Sequence, residues 1–139
     1  MQNSAPAGGL VFACIAPHGG MVVPELAAAA LDQAAVTRAA MLELGRRMVA
    51  AQPDTLVVIT PHGVRVDSMI GVAVTEFAAG ELDADEDQPP GHIELSLTVD
   101  RDLAYAIAVQ AHEAGVPVGL IGYGSSSGEA SCLPLDWGA

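Results

Sequence analysis

Positive charge is scarce in this chain. Five Lys and Arg residues stand against 17 Asp and Glu, a formal net charge of −12. A phosphate backbone would be repelled and no basic stripe offsets the acidity, so nucleic acid is not an expected partner; the acidity otherwise mainly favours solubility. Aromatic residues make up only 4%, which leaves Ala, Val and Leu to build the core. There is no apolar run approaching the roughly 18 residues of a transmembrane helix, so no membrane partner is expected. The N-terminus lacks a basic segment followed by an apolar one, so it does not read as a secretory leader. Cysteine is limited to Cys14 and Cys132. They can pair at most once, and without a leader they are expected as free thiols in a reducing, cytoplasmic setting. Cys14 lies in an apolar run and reads as a small core residue. What is abundant is apolar: 51% of 139 residues, against 16% charged. That composition predicts one globular domain spanning residues 1–139 with no internal boundary.

Short apolar runs punctuated by proline and glycine organise the chain. Leu10–Ala16 (LVFACIA) and Thr55–Thr60 (TLVVIT) are continuous, rich in β-formers and stopped by Pro17 and Pro61, the pattern of buried strands. Between them, residues 24–52 predict a helix, with Leu31, Ala35, Met41, Leu42, Met48 and Val49 on one broad apolar face packed as core. Gly45 marks a close approach or a weak point in it, and Pro53 and Asp54 end it. Ser68–Thr75 reads as a third strand and residues 77–91 as an acidic, proline-containing loop. His92–Val99 alternates imperfectly, as a strand. Asp100 is placed to cap a helix over residues 101–114, closed by Gly115. Val116–Gly122 reads as a last strand, weakened by Pro117, before a Gly/Ser loop. Strands alternating with helices predict an α/β fold with a mostly parallel central sheet and flanking helices.

One signal occurs twice. Val11–Gly19 reads VFACIAPHG and Leu56–Gly63 reads LVVITPHG: an apolar run followed at once by Pro-His-Gly. With a helix between the copies the unit predicts βαβ with a right-handed crossover. His18 and His62 would then stand beyond the carboxyl ends of parallel strands, the edge where open α/β sheets bind ligands. Proline ends each strand without needing a ladder hydrogen bond, and glycine lets the backbone turn close to a ligand. Imidazole is the commonest protein ligand for metals, and two His with one carboxylate is the facial set of non-haem Fe(II) oxygenases. The plainer alternative, that each His caps a loop through backbone hydrogen bonds, is left open by the spacing. So is the carboxylate, for which Glu25, Glu76, Glu94 and Glu129 are equal candidates.

Beyond these motifs, GLVFACIAPHGGMVVPEL resembles the opening of class III extradiol ring-cleavage dioxygenase catalytic subunits (LigB-like) and of their Memo-like relatives. RAAMLELGRRMVAAQPDTLVVITPHG resembles their first helix and second strand, GHIELSLTVDRDLAYAIAVQAHEAGVPV the next segment of the family chain, and LPLDWGA a motif in their central strand-end loop. The likeness covers essentially the whole chain and does not specify a substrate. It implies a LigB-like α/β fold, with His18 and His62 as two ligands of a non-haem Fe(II); Zn(II) is a reasonable adventitious substitute. The activity implied is oxidative cleavage of a catechol-type ring with O2, in aromatic compound catabolism. The alternative is a Memo-like, non-catalytic metal- or ligand-binding protein of the same fold. The family chain is roughly twice as long, and its third ligand, a glutamate, and its acid/base histidine lie in the half beyond this sequence. Many members carry Asp-His-Gly where this chain has Asp136-Trp137-Gly138, and that histidine lines the substrate site. The chain end inside this motif reads as a truncation. It implies a fragment inactive on its own, which exposes apolar surface and pairs with a second copy or a complementary segment.

Other signals are weaker. Gly124–Gly128 (GSSSG) matches a nucleophile-elbow pattern around Ser126, but the residues after it make a poor helix start and include no histidine; a flexible loop is expected. Asp83, Asp85 and Asp87 imitate half of an EF-hand loop, without its glycine or its closing glutamate. His92 is a spare acid/base candidate near the expected cleft, more simply a loop residue. His112 reads as surface. Metal-assisted hydrolysis through the same two histidines has no further support.

Overall fold

The computed structural model describes residues 8–28, 32–86 and 88–136. Two helices and five strands are laid along them: α1 (Ala35–Ala51), β1 (Ile70–Ala73), β2 (Phe77–Asp83), β3 (His92–Thr98), α2 (Arg101–Glu113), β4 (Val118–Ile121) and β5 (Cys132–Pro134). The class is mixed α/β. The described strands form two small sheets rather than one mostly parallel central sheet. β1 and β4 pair in parallel, Ile70 opposite Val118 through Ala73 opposite Ile121. β2 is the middle of a three-stranded sheet, antiparallel to β3 and parallel to β5.

The second half of the chain obeys its local signals. Asp100 caps α2, its Oδ1 accepting from the Leu103 amide at 3.0 Å, and Gly115 takes the positive φ of 77° that ends the helix. Ala104 and Ala108, one turn apart on α2, are buried where the helix packs on β1 and β4. Their small size lets a helix lie close to a sheet. A polar clasp holds the start of β2 against the residue before β5. Thr75 and Ser131 are fully buried; Thr75 Oγ1 donates to the Phe77 carbonyl at 2.8 Å, and the Ser131 carbonyl accepts from the Glu76 and Phe77 amides. Burial of these hydroxyls is tolerable because each has a partner.

Residues 77–91, expected as a loop, contain β2. The register puts Ala78, Gly80 and Leu82 beside Leu97, Leu95 and Ile93 on one face, and Glu81 and Asp83 beside Glu94 and His92 on the other. The alternation is partial, since Phe77 and Ala79 share the face of Glu81 and Asp83, and this, with the small residues on the other face, hid the strand. β5 lies inside the stretch expected as a Gly/Ser loop.

The first half departs further from expectation. Leu10–Ala16 and Thr55–Thr60 join no sheet among the described residues, so the expected βαβ unit is not formed there. Ile15 is 98% exposed and Ile59 90%. Runs that are apolar on every side need strand neighbours and cover on both faces, and the described chain supplies neither. Cys14 is accordingly exposed rather than core, and both thiols are free. α1 starts at Ala35, after a 3₁₀ turn at Gly20–Val22; Leu31, assigned to its apolar face, lies outside the described residues. It is not a core helix. Its buried residue is Arg38, whose Nη2 donates to the Met21 carbonyl at 2.5 Å, while Leu42 and Val49 are exposed. Gly45 meets nothing where a side chain would stand; it lines an open apolar groove of about 500 Å³ between Val22, Pro24 and the helix. No helix among the described residues is long and apolar enough to cross a membrane.

Candidate metal centre

The two Pro-His-Gly segments converge although neither comes after a formed strand. The ring centroids of His18 and His62 lie 4.5 Å apart, edge to face at 63°. Two imidazoles bound side by side to one ion at about 2.0–2.1 Å would hold their centroids at roughly this spacing. His18 is exposed and His62 half-buried. Each glycine after a histidine takes a positive φ, 116° at Gly19 and 83° at Gly63, a region that side chains other than glycine enter only at a cost. The Thr60 hydroxyl accepts from the His62 amide at 3.2 Å, tightening the turn that presents the ring.

A carboxylate not among the ligand candidates also stands here. Asp136 Oδ2 accepts from the Gly63 amide at 2.9 Å, across 73 positions of sequence, and lies 3.9 Å from His62 Nδ1. β5 delivers it. The Leu135 amide donates to the Ala79 carbonyl at 2.8 Å, extending the β2–β5 ladder to the residue before Asp136. Leu135 packs so closely on Gly80 that no side chain fits at that position. No spacing signal marks Asp136; the sequence brings it to notice only as the neighbour of Trp137, which lies outside the described residues.

The four glutamates weighed as a third ligand go elsewhere. Glu76 Oε1 faces Arg101 at 3.5 Å and Oε2 accepts from the Gly128 amide at 3.0 Å, tying the loop before β5 to the start of α2. Glu94 stands on β3 opposite Glu81. Glu25 and Glu129 are exposed. Among the described residues no group of three or more His, Cys, Asp or Glu is arranged to hold a metal ion, so the imidazole pair is a partial set.

His92 sits on the polar face of the β2–β3 hairpin, its Nδ1 2.9 Å from Asp83 Oδ1. The hydrogen bond to Asp83 raises its pKa above the ordinary 6.5, with the Asp83, Glu81 and Glu94 charges adding to it. It is therefore a strand residue held by a carboxylate, not the loop residue expected. His112 is exposed on α2, and Ser126 is exposed in a loop with no helix after it among the described residues. Asp83 ends β2 and Asp85 is exposed beyond it; Asp87 lies outside the described residues. A scan against protein-family models found no match to this chain, and a search of curated proteins found no significant one.

Proposed function

We infer that His18 and His62 are two ligands of a non-haem Fe(II) in a class III extradiol dioxygenase subunit that opens a catechol-type ring with O2. One observation carries the reading: two copies of the same Pro-His-Gly motif, separated by a whole helix, bring their rings to 4.5 Å. Fe(II) bound there would supply Lewis acidity and a common binding point for catechol and dioxygen. The chain's own part is to hold two imidazoles on glycine-flanked turns. Two neutral imidazoles leave the ferrous charge uncompensated, and the carboxylate described beside the pair, that of Asp136, is engaged with the Gly63 amide. Catalysis thus requires a carboxylate and an acid/base group from a complementary segment or subunit, and the exposed apolar runs at Leu10–Ala16 and Thr55–Thr60 suit such pairing, or pairing with a second copy.

The test is anaerobic loading with Fe(II), then O2 with a panel of catechols, monitoring the yellow ring-fission product. Residues 1–139 alone are expected to show little or no turnover, and the same chain joined by a segment or subunit that supplies the carboxylate and acid/base group is expected to turn over in an Fe(II)-dependent way. Robust turnover by 1–139 alone would contradict the requirement for a complement. Absence of turnover by the complemented protein on every catechol would favour the Memo-like binding role.

A further inference from the structure

We propose that Asp136 is a positioning residue for the metal pair: it fixes the turn that presents His62 by accepting from the Gly63 amide. The proposal rests on the reading of His18 and His62 as ligands and adds a residue to it. Asp136 Oδ2 accepts from the Gly63 amide at 2.9 Å, one residue beyond the histidine. Gly63 is the residue whose φ of 83° turns the chain away after the histidine, so the amide bond pins the turn at its most permissive point. At 3.9 Å the carboxylate stands beyond hydrogen-bond distance of His62 Nδ1, so it acts on the histidine through the turn.

The placement is built rather than incidental. Asp136 comes directly after Leu135, and Leu135 is held on β2 by its amide bond to Ala79 and by the side-chain-free surface of Gly80. The carboxylate is therefore carried by a sheet, while the histidine it meets is carried by an irregular segment. Across 73 positions of sequence the contact ties the second Pro-His-Gly motif to the strand that precedes Asp136. Asp136 is not itself offered as a ligand, since with His18 and His62 it makes no three-donor set.

Co(II) is the probe, bound to the full chain and read by calorimetry and by its visible absorption. Wild type is compared with Asp136→Ala, Asp136→Asn, His18→Ala and His62→Ala. Asp136→Ala is expected to weaken Co(II) binding by about 10–100-fold. Asp136→Asn keeps an acceptor for the Gly63 amide and is expected to retain most of the affinity. Wild-type affinity in Asp136→Ala would overturn the proposal. Loss in Asp136→Asn as deep as in His62→Ala would also overturn it, because the carboxylate would then be a ligand. If wild type binds no Co(II), or the two histidine variants bind as well as wild type, the metal reading itself fails and the proposal with it. Should Asp136→Ala not fold, amide hydrogen exchange of the wild-type chain decides. The Gly63 amide is expected to be protected by its bond to Asp136, and exchange at the rate of an open amide would overturn the proposal.

Discussion

A methyl group added at Gly80 would run into the carbonyl oxygen and Cβ of Leu135. Backbone cannot move aside as a flexible side chain does, so Gly80→Ala should displace β5 and cost about 1–3 kcal/mol, measurable by chemical denaturation. Unchanged stability would mean that the close contact is not kept in solution. His92 offers a second check at the same scale. Its pKa is raised chiefly by the Asp83 hydrogen bond. A histidine with a raised folded-state pKa adds stability that is fully present below its unfolded value near 6.5 and is lost as pH rises through the folded value. An NMR titration should place the His92 midpoint above the ordinary value, and Asp83→Asn should lower it; an unmoved midpoint would contradict the pairing. Residue-level legibility in the sequence was uneven. The two histidines were visible because a short motif repeats around each. Asp136 was not, because its link to Gly63 is made in space by β5 and leaves no periodicity behind.

Elements with strong local signals formed where the sequence placed them. Asp100 and Gly115 bound α2 because a side-chain acceptor and a positive-φ glycine are chemical instructions read within one turn. Asp100→Ala should therefore cost about 1 kcal/mol through the lost cap. Its Oδ2 also accepts from the Thr55 hydroxyl at 3.2 Å, so Thr55→Val at that exposed contact should cost less. A Thr55→Val loss equal to that of Asp100→Ala would shift the weight from the cap to the tertiary bond. Where strand character depends on neighbours, sequence reasoning failed in both directions. Residues 77–83 became a strand because β3 and β5 flank them, although they alternate only in part. Leu10–Ala16 and Thr55–Thr60 have the stronger β-composition and no partner among the described residues, so propensity alone did not make a ladder.

At the scale of the whole molecule, the described buried apolar core is small, formed by Leu26, Ala27, Ala78, Ala104 and Ala108, while Leu10, Ile15, Leu56 and Ile59 are exposed. Surface of this kind is normally covered. Sedimentation should show concentration-dependent association of the chain, weakened by Ile15→Glu combined with Ile59→Glu; a monomer at every concentration would contradict the pairing. The mixed α/β class arises from alternating local signals, whereas sheet order depends on long-range pairing that composition does not encode. The central claim is that the two repeated motifs make one metal site, and anaerobic calorimetric titration with Fe(II) tests it most directly. Wild type is expected to bind a single ion, and His18→Ala and His62→Ala are each expected to lose that binding. Wild-type affinity in either variant, or no binding by the wild-type chain, would contradict it.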